Sequence, residues 1–278
     1  NFILPLASPA IAALTVGGAA LAERMIFAEQ DKRRLRQRFA GMMSPERLQA
    51  VMDHWDELRH EARPPKYAAV MFADVRNFTH ATETLMRQDR NPAMVRFLNA
   101  YLDAMSQVVF QEGGVIYRVI GDGLLIMFGM PEALPDCALH AARCAVGMAQ
   151  AARRLQEDWP LRDELPLGLG IGVHCGLLVD AIVGSGRRVD YVIIGDAANT
   201  AARIEAYCKE AAQIPIPESC SLPERIPDSV TILISEDVYQ AVRETACVDD
   251  SLPPYQARGK DQPLRVYRLL GFQKGASP

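Results

Sequence analysis

Hydrophobic and polar positions follow three rhythms along this chain. Residues 2–22 (FILPLASPAIAALTVGGAALA) carry no charge at all. As a helix rising 1.5 Å per residue, that stretch covers roughly 30 Å, the thickness of a bilayer's hydrocarbon core. Pro5, Pro9, Gly17 and Gly18 dilute its helix formers, but membrane helices tolerate these residues. Glu23, Arg24 and the basic run Lys32-Arg33-Arg34-Leu35-Arg36-Gln37-Arg38 come next. The pattern predicts a transmembrane helix over residues 1–22, a single span of the inner (plasma) membrane. The positive-inside rule then puts the rest of the chain in the cytoplasm. A signal peptide would carry its charge before the apolar core, not after it. A buried soluble helix is the other alternative, for which Ala/Gly/Pro-rich sequence is poor material. No methionine opens the chain, which therefore reads as the C-terminal portion of a longer protein.

The second rhythm is helical and spans residues 23–63. Leu21, Ala28, Leu35 and Met42 recur every seven residues, with Met25 and Phe39 on the neighbouring seam and Lys32 breaking it. Such a heptad predicts a parallel two-stranded signalling helix; a lone basic helix drawn to anionic lipid is the alternative. Ser44-Pro45-Glu46 is a helix start, Ser as N-cap and Pro at the first position. Leu48, Val51, Met52, Trp55 and Leu58 keep helical spacing up to Pro64-Pro65, the expected domain boundary. This helix reads as a linker that docks on the domain beyond Pro65.

From residue 64 to 272 strands alternate with helices, and 273–278 is a short tail. Apolar runs predict strands at Tyr67–Phe72, Val115–Ile120, Leu124–Phe128, Leu167–His174, Leu177–Val183, Val189–Ile194, Val230–Ile234 and Leu264–Leu269. Helical spacing covers Ala93–Gln111, Leu134–Leu155, Ala197–Lys209 and Glu236–Glu244. The opening order βαββαβ is the ferredoxin-like plan, so the fold class is α+β, a mixed sheet covered by helices. Four prolines between 212 and 230 (Pro215, Pro217, Pro223, Pro227) predict a surface loop there.

Composition narrows the function only a little. The chain has 278 residues, 49% hydrophobic and 23% charged, and a net charge of −4, which gives no reason to expect nucleic-acid binding. Its six cysteines form no CxxC pair, so a zinc site is not expected; Cys137 and Cys144 read as buried thiols, and reduced cytosolic residence is the simpler reading.

The candidate chemistry lies in three short segments. Asp74 ends an apolar strand in FADVRNFT (72–79), and Asp122 sits in the hairpin turn Gly121-Asp122-Gly123. In a βαββ plan these strands can be neighbours, which would bring the two carboxylates together. Close carboxylates repel, and a divalent cation relieves that repulsion; Mg²⁺ takes one or two carboxylates plus phosphate oxygens. Phe78 and Thr79 would offer turn N–H groups to a triphosphate. Asn199 and Arg203, one helical turn apart after Gly195, share a face that can serve a phosphate. Each feature alone has a plainer explanation, a turn aspartate or a solvated arginine.

In their order the segments resemble the catalytic domain of class III nucleotidyl cyclases. The matching blocks are FADVRNFT (72–79), GGVIYRVIGDGLLIMFG (113–129), LGIGVHCG (169–176), VGSGRRVDYVIIGDAANTAARIE (183–205) and RGK (258–260). The N-terminal helices also look like the region that joins a CHASE2-type sensor to such a domain. The resemblance implies that Asp74 and Asp122 bind two Mg²⁺ or Mn²⁺ ions per site, with the Val75 carbonyl helping. Asn199 and Arg203 would orient the ribose and stabilise charge on phosphorus, and Lys260 would hold the triphosphate. It further implies a head-to-tail homodimer, with metal residues from one protomer and the Asn/Arg pair from the other.

The base-reading positions depart from the pattern. Where adenylyl cyclases resemble one another in carrying Lys and guanylyl cyclases Glu, this chain has Arg118. Where Asp, Thr or Cys is usual, it has Val192. Arg118 donates but cannot accept, which favours adenine over guanine. Val192 cannot bond the adenine amino group, so weak base selectivity is expected. The reading is an adenylate cyclase acting on ATP, anchored in the membrane by its N-terminal helix. A guanylate cyclase and a silent nucleotide-binding regulatory module are the alternatives.

Overall fold

The apolar run after Pro65 becomes the central strand β1 (Lys66–Val75), with both faces covered. Ala69, Met71, Ala73 and Val75 join one buried cluster; Ala68 and Val70 join another on the opposite face. A strand buried on both sides has no polar face, so its sequence reads as continuous hydrophobic. This computed structural model describes residues 39–54, 64–158, 167–185, 188–217, 225–257 and 262–273, with separate helical positions between 16 and 37.

Before β1 stands α1 (Pro45–Asp53). Ser44 caps it as expected, its hydroxyl accepting from the Arg47 N–H at 3.4 Å. The predicted continuation through Trp55 and Leu58 lies outside the described residues. After β1 come α2 (Phe78–Arg87), α3 (Asn91–Gln111), β2 (Val115–Ile120), β3 (Gly123–Phe128), α4 (Cys137–Asp158) and β4 (Leu169–Ser185). These strands lie in the order β2-β3-β1-β4 with every neighbour antiparallel, which is the ferredoxin-like plan. β6 (Val230–Ser235) adds parallel to β4, and β8 (Val266–Phe272) and β7 (Ala246–Asp249) continue the sheet antiparallel, so it is mixed as expected. β5 (Arg188–Ile194) folds back on the far half of β4. Helices α3, α4 and α6 (Glu236–Val242) cover one face, and α5 (Asp196–Ala211) covers the other.

Three elements differ from expectation. β4 is one strand of 17 residues, not two strands broken at Cys175-Gly176. Gly176 pairs with Ala68, and a Cβ there would meet the Ala197 Cβ at 3.0 Å. Its glycine therefore marks the close approach of α5, not a strand end. α2 is only ten residues long, and its inward stripe is Leu85 with the partly buried Phe78 and Ala81, a faint signal in the sequence. The four-residue β7 is equally faint.

The expected membrane-spanning helix, and the inner-membrane location that rested on it, require correction. Among the described residues no helix is long and apolar enough to cross a membrane. Residues 1–15 of the predicted span lie outside the described residues. From Val16 onward, the next eighteen positions take in Glu23, Arg24, Glu29, Asp31, Lys32 and Arg33, too many charges for a hydrocarbon core.

Candidate active site

The sheet order β2-β3-β1 sets the β2–β3 turn beside the end of β1. Ile120 pairs directly with Gly123, leaving Gly121 and Asp122 as the turn, with Gly121 at φ +65°. Gly123 is needed here for space: a Cβ would stand 3.1 Å from Asp74 Oδ1. The carboxyl groups of Asp74 and Asp122 consequently come within hydrogen-bonding reach of each other. The Val75 N–H donates to Asp122 Oδ2 at 3.2 Å.

Burial first, and the Asp74 charge second, push the Asp122 carboxyl up to about 6. Tyr101 of α3 faces the same pair. Its fully buried hydroxyl has no hydrogen-bond partner among the described residues, and burial and then the two aspartates raise its pKa. The site thus brings two carboxylates together where burial already disfavours their charge.

A cleft of about 580 Å³ opens over the pair, lined by Asp74–His80, Asp122, Lys209, Gln213, Asp228 and Thr231. Asn77, in the left-handed conformation at φ 57°, turns the chain so that α2 starts at Phe78. Phe78, Thr79 and His80 form its first turn, whose N–H groups have no partner within the helix. The expectation that Phe78 and Thr79 belong with the aspartates fits this placement.

Arg76 and Glu205 form a second layer that the sequence had not singled out. Arg76 Nη2 lies 3.8 Å from Glu205 Oε1, and the Arg76 N–H donates to the Gly168 carbonyl at 2.8 Å. Burial pushes Glu205 up to about 7, Arg76 lowers it, and Asp74 and Asp122 raise it further. Both residues stood inside the matching blocks, but nothing in spacing marks an ion pair joining residue 76 to residue 205.

The remaining predicted residues lie elsewhere. Asn199 and Arg203 sit on α5 and do not line the cleft; Asn199 is exposed, and Arg203 Nη1 is buried without a hydrogen-bond partner among the described residues. Arg118 is exposed on β2, while Val192 is half-buried on β5 opposite Ala181. Lys260 lies outside the described residues.

The donor set suits a hard divalent cation. Two close carboxylates, one held partly protonated, are an incomplete shell of the kind Mg²⁺ takes together with phosphate oxygens. Among the described residues no group of three or more His, Cys, Asp or Glu side chains could cage a metal. Asp122 at about 6 and Glu205 at about 7 are both raised, so their stability contribution is full below about pH 4 and lost as pH rises through those values. Mn²⁺ must displace the shared proton below pH 6 and meets bare carboxylates above it. The rise in Tm caused by Mn²⁺ is expected to be larger at pH 7.5 than at pH 5.5. An equal shift at both, measured by thermal melts, would contradict this charge arrangement.

Comparison with known proteins gives a consistent result. A model of the adenylate and guanylate cyclase catalytic domain matches residues 61–268. An adenylate cyclase of Anabaena cylindrica is 31% identical over 205 residues, 72% of this chain and 36% of that protein. An adenylate cyclase of Mycobacterium tuberculosis is 31% identical over 191 residues, 69% of this chain and 38% of that protein. The chain thus spans little more than a third of the length of these relatives. Among solved structures, the guanylyl cyclase Cya2 superposes with a TM-score of 0.63 at 27% identity, over 77% of this chain and 96% of that one. The adenylyl cyclase CyaB from P. aeruginosa shares the fold, at a TM-score of 0.61 and 24% identity over 77% and 98% of the two chains.

Proposed function

The chain belongs to the adenylate and guanylate cyclase catalytic domain family, and from that premise we propose that it is an adenylate cyclase making 3′,5′-cyclic AMP and pyrophosphate from ATP. The observation that carries the reading is the Asp74–Asp122 pair at adjoining strand ends, under a cleft with a helix N-terminus on its rim. Two Mg²⁺ or Mn²⁺ ions, when bound there with the Val75 carbonyl, would activate the ribose 3′-oxygen and neutralise the leaving pyrophosphate.

The protein's own groups have distinct tasks in this reading. The first turn of α2, with Phe78 and Thr79, holds the triphosphate, assisted by Lys260. Asn199 orients the ribose. Arg203, whose Nη1 has no hydrogen-bond partner among the described residues, stabilises charge on the transferring phosphorus. Because Asn199 and Arg203 do not line the cleft that holds the aspartates, one chain offers two half-sites. A head-to-tail homodimer completes both, each cleft facing a partner's α5.

Arg118 and Val192 read the base. Arg118 suits adenine N1, and Val192 contributes no hydrogen bond, so preference for ATP should be modest, about ten-fold. With equimolar ATP and GTP and Mn²⁺, the chain is expected to form mainly cAMP. Preferential cGMP would turn the assignment to a guanylate cyclase. No product of either kind would favour a silent nucleotide-binding module, a reading that leaves the retention of Asp74, Asp122, Asn199 and Arg203 together without a reason.

A further inference from the structure

We propose that Tyr117 and Tyr191 position the base-reading residues, and that the segment Phe39–Met43 holds this pair in place; the inference rests on Arg118 and Val192 facing the base. β2 and β3 lose register between Ile116 and Arg118, which leaves Tyr117 as the extra residue of a bulge. A bulge re-aims side chains, and such irregularities concentrate beside functional sites. Here it turns Tyr117 across to β5. The Tyr117 hydroxyl donates to the Tyr191 carbonyl at 3.1 Å, and the two rings meet edge to face with centroids 6.1 Å apart.

That bond lies in the peptide leading into Val192, so it fixes the backbone at the second base-reading position. The first is held by the same side chain: the Arg118 guanidinium carbon lies 5.5 Å from the Tyr117 ring centroid. One tyrosine therefore contacts Arg118 and the peptide that enters Val192, although positions 118 and 192 are 74 residues apart in sequence. Tyr191 is anchored in turn, donating its hydroxyl to Oδ2 of the buried Asp180 at 3.0 Å.

The support behind these tyrosines comes from residues that precede the stretch matched by the family. Phe39, only 1% exposed, meets the Tyr191 ring edge-on at 5.2 Å. The Ile116 N–H, just before the bulge on the edge strand β2, donates to the Met42 carbonyl at 2.7 Å. Met43, Val51 and Met52 close the cluster around Val115 and Tyr191. Pulling Phe39 and Met42 away would free both the bulge and the Tyr191 ring. Arg118 and residue 192 would then lose their fixed spacing, while Asp74 at the end of β1 keeps its own strand pairing. The consequence falls on base binding and discrimination more than on the bond-making step.

The test uses the full 278-residue chain. Tyr117→Phe keeps the ring and removes the one hydroxyl. It is expected to raise KM for ATP and to lower the cAMP:cGMP product ratio from equimolar ATP and GTP, each about five-fold, with kcat falling less. Phe39→Leu, which touches no part of the site, is expected to move both quantities in the same direction, thermal melts confirming that each variant folds. A Tyr117→Phe variant that loses kcat while KM and product ratio stay at wild-type values would overturn the proposal. Arg118→Ala separates the two readings. If it shifts the ratio and Tyr117→Phe does not, the positioning role fails and the base-reading assignment stands. If Arg118→Ala leaves the ratio unmoved, the base-reading assignment itself fails and takes this inference with it.

Discussion

Asp74→Ala and Arg203→Ala should each lower cyclase turnover by about 10³-fold or more, and coexpression of the two variants should restore about a quarter of the wild-type rate. The single losses stem from what each group faces. Without Asp74, the half-buried Asp122 carboxyl keeps its bond from the Val75 N–H but loses the carboxylate with which it would share a cation. Without Arg203, the cationic group a helical turn from Asn199 on α5, proposed to meet the charge that builds on phosphorus, is gone. Restoration is the discriminating part. Random pairing makes about half of the dimers mixed, and each mixed dimer holds one site with all its groups intact, hence about a quarter of full activity. The measurement is cAMP formed per dimer in the coexpressed sample, with the thermal midpoint of each variant as a check on folding. Folded variants whose mixture stays inactive would show that the two half-sites do not meet across a dimer.

What the sequence revealed of this site depended on whether the signal was local. The Asp74 and Asp122 positions were legible because each sits where an apolar run stops, and the βαββ order makes those stops neighbours. Their closeness could be foreseen; the role of Gly123 in permitting it could not, because a missing Cβ leaves no periodic trace. The ferredoxin-like half of the sheet was legible for the same reason as β1: buried strands are continuous apolar runs. α2 was not, since its inward stripe is short: Leu85 is buried and Phe78 and Ala81 only partly so. The Arg76–Glu205 pair and the Tyr117–Tyr191 bridge join positions far apart in sequence, and only the sheet register brings them together. At the other end, an uncharged stretch over 2–22 suggested a membrane span, yet no described helix has the length and apolarity to cross one.

Gly172→Ala is expected to have the largest effect on stability of any single methyl added to this sheet, lowering it by about 3 kcal/mol and the Tm by about 10 °C. The reason is how near α5 lies to β4. A Cβ on Gly172 would stand 2.3 Å from the Glu205 backbone nitrogen and 2.6 Å from the Ala201 carbonyl oxygen, both main-chain atoms of a buried helix face. No side chain can swing aside there, so the helix itself must lift. Lifting α5 draws Glu205 away from Arg76 and displaces Asn199 and Arg203, which ride on the same helix. Turnover should therefore fall at least ten-fold even at temperatures where the variant is fully folded. Gly121→Ala provides the contrast. Nothing lies within 4 Å of its added methyl, and the only penalty is the left-handed φ of +65°, about 1 kcal/mol. Urea unfolding of both variants separates close approach from backbone strain. A Gly172→Ala midpoint equal to that of Gly121→Ala would mean that α5 stands further from the sheet than this packing has it. Asn199 and Arg203, carried on that same helix, would then also stand higher above the sheet.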